Sequence, residues 1–525
     1  MASGGRIEKM GKNIAWGTFS RVVVMLYSFV SRTFFIKYLG LANNGINSVF
    51  TEILTMLSFA ELGIGTAMNF SLYKLVADKE IEKIKSYMQF YKNAYRVIAL
   101  VIGVIGIAIM PILPHMLSSE DIIGAGGNIY VIYLLYLFNT VCSYFVSYKY
   151  SLSNAEQKGY IFTNINLIFN LLCQTGQLIS LFLTQNFLCY CLIGAVVQLV
   201  QNIVTNWYMN RLYPYLKDKN VKTISKKEIA PIVKNVKALV ISRIGSICVN
   251  ATDNIIITWV INAATSGLIG NYNTLIRNIN GFMNILMNSQ TASFGNLIAS
   301  EGRERQYRAF KNFRFLIFWV YGFTSIALFT LMTPFIVIWL GKGYTTLSIT
   351  IFLIMFHNYL SGHRSAIYNV KVAGGIFEQD KWLALVTAFS NLSISILAAK
   401  YLGLPGVYVG TVLTGLIETF VRPSIVYREL FQVRVWEYYR NGLQYLGVVL
   451  FCGMLCWGLQ RVILPMERMQ ATVGVTILAR AREIGLPFLG LSICTMLIPN
   501  LIFFLLYRKT EEFRYLKKIL TKFTL

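Results

Sequence analysis

Apolar runs of about twenty residues recur from Trp16 to Leu506, separated by short polar, Gly/Pro/Asn or charged breaks. Each is long enough to cross a hydrocarbon core of about 30 Å as a helix. The helix is forced because lipid cannot satisfy an open backbone. The runs lie near 14–39, 46–70, 93–113, 128–150, 160–183, 187–210, 236–261 and 268–297, then 313–340, 346–370, 381–399, 404–427, 441–463 and 484–507. The pattern predicts an all-α polytopic membrane protein with about 14 transmembrane helices.

The polar positions repeat. Laying the first two runs over the seventh and eighth with a constant shift of 222 residues needs no gap from Lys12 to about Glu82. Lys12-Asn13 falls on Lys234-Asn235, Ser20-Arg21 on Ser242-Arg243, Gly45 on Gly267 and Ser71 on Ser293; further on, Glu156-Gln157 falls on Glu378-Gln379. Six runs separate the copies, an even number, so the reading is two parallel six-helix lobes related by an axis along the membrane normal, with a substrate cavity between them. The expected divisions are a cytoplasmic segment 1–13, an N-terminal lobe 14–210, a basic linker 211–235, a C-terminal lobe 236–428, two additional helices within 429–508 and a basic cytoplasmic tail 509–525.

Composition agrees with a chain built for lipid. Of 525 residues 55% are apolar, and the 14% that are charged fall well below the roughly 25% of soluble domains. A net charge of +25 raises the question of nucleic acid, but its distribution is topological and argues against such a partner. With the N-terminus cytoplasmic, Lys74 to Lys85, Arg211 to Lys237, Arg303 to Arg314, Arg422 to Arg440 and the tail from Arg508 all face the cytoplasm. The opposite loops Gly40–Gly45, Pro111–Asn128, Thr184–Asn186 and Asn262–Gly267 hold no Lys or Arg, as the positive-inside rule expects of a bacterial cytoplasmic-membrane protein. Arg461, Arg468, Arg480 and Arg482 break the rule by falling outside. The first fifteen residues are basic and lead into no small-residue cleavage site, so the first span is expected to be retained.

A mid-helix arginine costs about 2.5–3.5 kcal/mol on insertion scales, so one that cannot reach the interface must face protein or a watery path. Arg21 and Arg32 stand eleven residues apart on one face of the first span, about 16 Å along its axis, with Ser28 between them. The seventh span repeats the stripe as Arg243, Asn250 and Asn254, and the eighth carries Asn273, Arg277, Asn280, Asn284 and Asn288 at spacings of four, three, four and four. Guanidinium groups bind phosphate oxygens through forked hydrogen bonds, so Arg21, Arg32, Arg243 and Arg277 form a ladder suited to a diphosphate. Ser28 and the asparagines suit cavity lining or glycan hydroxyls. Glu52, Glu61 and Asp253 are the intramembrane acids, read either as structural partners of the arginines or as sites for a coupling proton or sodium ion. Lys37, Arg96 and Lys149 lie near span ends and are read as snorkelling, and Glu418 is read as pairing with Arg422.

Eight scattered cysteines and three histidines give no metal-site spacing, so no metal is expected. There is no G-x-x-x-x-G-K-[ST] loop, so transport would draw on a proton or sodium gradient, the membrane potential or the substrate gradient rather than a cofactor. Few outer acids (Glu120, Asp121, Glu467, Glu483) argue against an enzyme such as a membrane-embedded polysaccharide polymerase.

At Tyr38-Leu39-Gly40, Gly45-Ile46-Asn47, Leu57 to Thr66, Ser71-Leu72-Tyr73-Lys74 and Tyr91 to Tyr95 the chain resembles bacterial oligosaccharide flippases of the polysaccharide biosynthesis type. These belong to the multidrug/oligosaccharidyl-lipid/polysaccharide exporter superfamily. The resemblance covers about residues 12–100 distinctively and the remainder by span order. It implies a V-shaped pair of lobes working by alternating access on a polyprenyl-diphosphate-linked oligosaccharide for capsule, O-antigen or exopolysaccharide assembly. Membrane lipids, a polysaccharide polymerase and glycosyltransferases would be the partners. It also implies that cavity cations contact the lipid diphosphate, here Arg21, Arg32, Arg243 and Arg277. A cation-coupled exporter of drugs or metabolites is the alternative within the superfamily.

Overall fold

A computed structural model describes the backbone of residues 2–117, 128–156, 158, 160–218, 221, 223–225, 228–230, 252–374, 376, 379, 381–470 and 476–523, and their side chains except 2–21, 59–71, 73, 74, 77, 284–300, 373, 381, 466, 470 and 519–523. Among the described residues every regular element is helical. Among the described residues ten helices are long and apolar enough to cross a membrane. The chain is thus an all-α polytopic membrane protein. It divides into two compact units, Met1–Gly267 and Leu268–Leu525.

The first unit contains α1 (Ala2–Ala77), α2 (Ile81–Ile109), α3 (Ile129–Ala155), α4 (Tyr160–Thr184), α5 (Phe187–Leu212), the short α6 (Asp253–Val260) and the first turn of α7 (Ala263–Ser300). Sequence reading expects a loop over Gly40–Gly45, but only Gly40 leaves the helix, at φ 79° and ψ 179°. That left-handed backbone favours glycine. Helix resumes at Leu41 because Asn43 Nδ2 donates to Leu39 O at 2.8 Å, capping a carbonyl released by the break. Elsewhere the polar breaks act as caps: Asn128 Oδ1 accepts from the Tyr130 amide, and Asn186 Oδ1 from those of Leu188 and Cys189.

α1 packs on α2, α3, α4 and α6, with α5 against α3 and α4. Their shared core holds Ile46, Phe50, Tyr91, Tyr133 and Leu152, all fully buried. The opposite faces are also apolar but exposed: Ile168, Leu172, Ile179 and Leu183 on α4, and Val196, Val200, Ile203 and Trp207 on α5. Helical spacing of exposed apolar side chains over a buried core is the signature of a lipid-facing surface.

One contact gives the 222-residue repeat a physical form. A Cβ on Gly45 would meet Ala263 O at 1.9 Å, and one on Gly267 would meet Leu41 O at 2.3 Å and Gly45 N at 2.8 Å. Leu41 and Gly45 lie 222 residues before Ala263 and Gly267, so at that spacing each glycine presses on the counterpart of the residue pressing on the other. Asn44 Nδ2 adds a 2.7 Å hydrogen bond to Gly267 O. Small residues permit such backbone approach, and van der Waals packing drives it in lipid.

The second unit continues α7 and adds α8 (Arg303–Trp339), α9 (Ser348–Ala373), α10 (Lys381–Leu402), α11 (Leu404–Val426), α12 (Trp436–Ile463), α13 (Ile477–Tyr507) and α14 (Glu511–Phe523). α8 is its centre, touching α9, α12, α13 and α14, while α10 and α11 form a hairpin that joins α9. Phe318 stacks on Tyr445 with ring centroids 4.2 Å apart and meets Phe503 at 4.9 Å. The tail read only as basic contains α14, whose Phe513 stacks on Trp319 while Lys517 and Lys518 stay exposed. Such a two-faced helix suits the membrane interface.

The charges that break the positive-inside pattern have their own tasks. Arg480 donates to the carbonyls of Ile338, Trp339 and Leu340, capping the C-terminus of α8. Arg461 lies over the Trp457 ring, 4.1 Å from its centre.

Candidate functional site

Within the first unit, α1 carries Arg32 half-buried, eight residues before the Gly40 break. Its guanidinium is within electrostatic reach of Tyr136 on α3 and Tyr190 on α5. The Tyr136 hydroxyl donates to Asn47 Oδ1 at 2.5 Å, and Gln177 Nε2 on α4 donates to Tyr190 O at 3.3 Å. A cation of α1 thus lies within electrostatic reach of tyrosines from α3 and α5, which Asn47 of α1 and Gln177 of α4 hold in turn. A guanidinium in that setting can grip phosphate oxygens while tyrosines offer donors or ring faces to sugar. Sequence reading finds Arg32 but not Tyr136 or Tyr190, because aromatics inside apolar runs look like packing until the helices are assembled.

A second polar group joins α1 to α6. Asn254 Nδ2 donates to Glu52 Oε1 at 3.2 Å, and Asn254 is 5% exposed. Asp253 begins α6, where a carboxylate favours the helix N-terminus. The structure therefore brings together Glu52 and Asn254, with Asp253 adjacent, although the sequence gives them different roles. The expected cavity hydroxyl of Ser28 is directed back into its own helix, to Val24 O, as are those of Thr51 to Asn47 O and Ser58 to Leu54 O.

In the second unit α7 remains helical through Ser300. The positions 273, 277, 280, 284 and 288 therefore share one face. Arg277 is exposed and Asn273 half-buried. Asn280 Nδ2 donates to Asn358 Oδ1 at 3.0 Å, and Asn358 passes the bond to Ser325 Oγ at 3.2 Å, tying α7 to α9 and α8. Arg243 and Asn250, and the side chains of Arg21, Glu61, Asn284 and Asn288, lie outside the described residues. Glu418 accepts two 3.3 Å hydrogen bonds from Arg422, as its sequence position suggests, and Arg364 lies 3.8 Å from the same carboxylate. Among the described residues no group of His, Cys, Asp and Glu is arranged to hold a metal.

Lys149 corrects the snorkelling reading. Lys37 and Arg96 are exposed, but Lys149 is 2% exposed and donates to Asn206 Oδ1 at 2.5 Å and Asn210 Oδ1 at 2.6 Å. Asn206 and Asn210 sit four apart on one face of α5, directed at the lysine rather than the interface. Its repeat counterpart Lys371 is also buried, at 5%. Lys149→Ala would leave a void where the buried amine stood and two amide oxygens of α5 without their donor, a cost of about 2 kcal/mol. Thermal unfolding of the detergent-solubilised protein should show a lowered midpoint for Lys149→Ala and none for Arg96→Ala; equal midpoints would refute the buried cage.

No family model matches the chain, and no curated protein matches it in sequence. Its fold is shared with solved transporters. The lipid II flippase MurJ, in an inward closed conformation, superposes with a TM-score of 0.65 at 13% identity over 93% of this chain and 98% of that one. An inward-facing multidrug resistance MATE family transporter of the MOP superfamily gives 0.57 at 13% identity over 77% and 96%. The MATE multidrug transporter DinF-BH gives 0.56 at 14% identity over 83% and 98%.

Proposed function

We propose that this chain flips a polyprenyl-diphosphate-linked oligosaccharide from the inner to the outer leaflet of the bacterial cytoplasmic membrane by alternating access, with both termini cytoplasmic. The observation that carries the reading is Arg32, a guanidinium held inside the bundle beside Tyr136 and Tyr190. An intramembrane arginine with aromatic and amide company suits a ligand that is anionic at one point and hydroxyl-rich beyond it. The fold held in common with a lipid II flippase supports the same class of cargo. In this reading Arg21, Arg243 and Arg277 extend the cation path and the asparagines of α7 face the glycan. Glycosyltransferases would supply the substrate and a polymerase would consume it.

The Glu52–Asn254 contact beside Asp253 favours a second reading, a cation-coupled exporter in which these groups take the coupling ion.

Depleting the protein separates the two. A flippase predicts that the lipid-linked repeat unit accumulates where membrane-impermeant reagents cannot reach it from outside, with loss of the surface glycan. A normal surface glycan in cells without a functional paralogue, together with altered drug susceptibility, would overturn it in favour of the exporter.

A further inference from the structure

Two cavities adjoin at the Leu340 end of the second unit. One, of about 240 Å³, is walled by apolar side chains of α8, α9 and α12, including Phe329, Phe352, Phe356 and the exposed Met454. The other, of about 230 Å³, shares Phe329 and Trp457 with the first and is rimmed by Lys342, Arg461 and the hydroxyls of Thr333 and Ser348. Among the described residues no carboxylate pairs with Lys342 or Arg461, whereas the neighbouring Arg480 is occupied by the α8 carbonyls. α9 starts at this mouth, and its N-cap, Leu347, supplies no side-chain cap, so the helix dipole adds to the positive potential.

We propose that the paired cavities form a binding site for a single-chain isoprenyl phosphate monoester, its chain in the apolar cavity and its phosphate between Lys342 and Arg461. One apolar chamber accommodates one chain, which disfavours a two-chain bilayer lipid. Two cations and a helix N-terminus match a monoester phosphate of about −1.5 to −2 charge better than a singly charged diester. The site is separate from the Arg32 group and extends the transport reading, on which it rests only for the orientation that puts this mouth at the outer leaflet. A polyprenyl carrier relieved of its glycan and hydrolysed to the monophosphate has this chemistry.

Farnesyl phosphate is a suitable probe, added to the purified full-length protein in detergent and followed by native mass spectrometry. One molecule should bind per chain. A Cβ on Gly453 meets nothing within 4 Å, and this residue lines the apolar chamber, so Gly453→Phe should fill the chamber without moving its neighbours. Gly453→Phe, Lys342→Ala and Arg461→Ala should each weaken binding about tenfold, and farnesol should bind about a hundredfold more weakly than its phosphate. Unchanged melting temperatures would establish that the variants fold. Binding that ignores all three substitutions would overturn the assignment, as would equal binding of farnesol or of dioleoylphosphatidylglycerol. Absence of flipping by the native protein with farnesyl phosphate binding intact would count against the transport reading alone, and flipping without such binding against this site alone.

Discussion

Gly45→Ala should keep the protein from accumulating in the membrane. The added Cβ lies 1.9 Å from Ala263 O, and the obstacle is backbone, which no rotamer change removes. The two segments must part by about 1 Å, giving up packing on both sides and straining the Asn44 hydrogen bond to Gly267 O, at a cost of about 3 kcal/mol or more. Against a total stability of about 5–15 kcal/mol for a folded domain that is a large share. Gly267→Ala should behave alike, since its Cβ would meet Leu41 O at 2.3 Å. Gly458→Ala is the control, because a Cβ there meets nothing within 4 Å. Fluorescence-detected size-exclusion of tagged variants reads the result. A monodisperse peak of wild-type height for Gly45→Ala would disprove the close approach.

The second large effect belongs to transport rather than folding. Arg32→Ala should lower flipping of a lipid-linked oligosaccharide in proteoliposomes about a hundredfold, the loss of one forked, charge-assisted contact to phosphate in a site of low dielectric. Arg32→Lys keeps the charge but not the planar fork, and should fall between the alanine variant and the native protein. Arg277→Ala is expected to reduce transport in the same direction from the face of α7. Protein yield should hold in all three. Arg96, exposed near a helix end, supplies the comparison: if Arg96→Ala and Arg32→Ala lose transport equally, position within the bundle does not decide function.

The order of helices was legible in the sequence because a run of about twenty apolar residues has few fates other than a membrane helix. The runs near 160–183, 187–210 and 404–427 became Tyr160–Thr184, Phe187–Leu212 and Leu404–Val426. What a linear pattern cannot express is direction. Lys149 near a span end reads the same whether its amine reaches outward to water or inward to Asn206 and Asn210, and only the facing helix decides. α14 was hidden for a related reason: thirteen residues rich in charge read as a solvated tail until Phe513 and Leu516 are seen to share the side that packs on α8. Gly40 beside Asn43 and Asn44 resembles the start of a loop, yet Asn43 donates back to Leu39 O within a helix that resumes at once. In the candidate site, arginine is conspicuous because it is expensive in lipid, whereas Tyr136 and Tyr190 gain meaning only from lying within its electrostatic reach.

The reciprocal pressing of Gly45 on Ala263 and Gly267 on Leu41 also bears on descent. If the two segments were once separate copies of one chain, this crossing was the self-complementary face of a homodimer, where a single residue met its own twin across a two-fold axis. In such an ancestor every substitution at the glycine acted twice, and its cost was doubled. Joining such copies in one polypeptide would release them from that identity: Asn44 and Ser266, 222 residues on, differ, and Asn44 reaches across to the Gly267 carbonyl. The glycines could not diverge in the same way, because each is hemmed in by the other's neighbour.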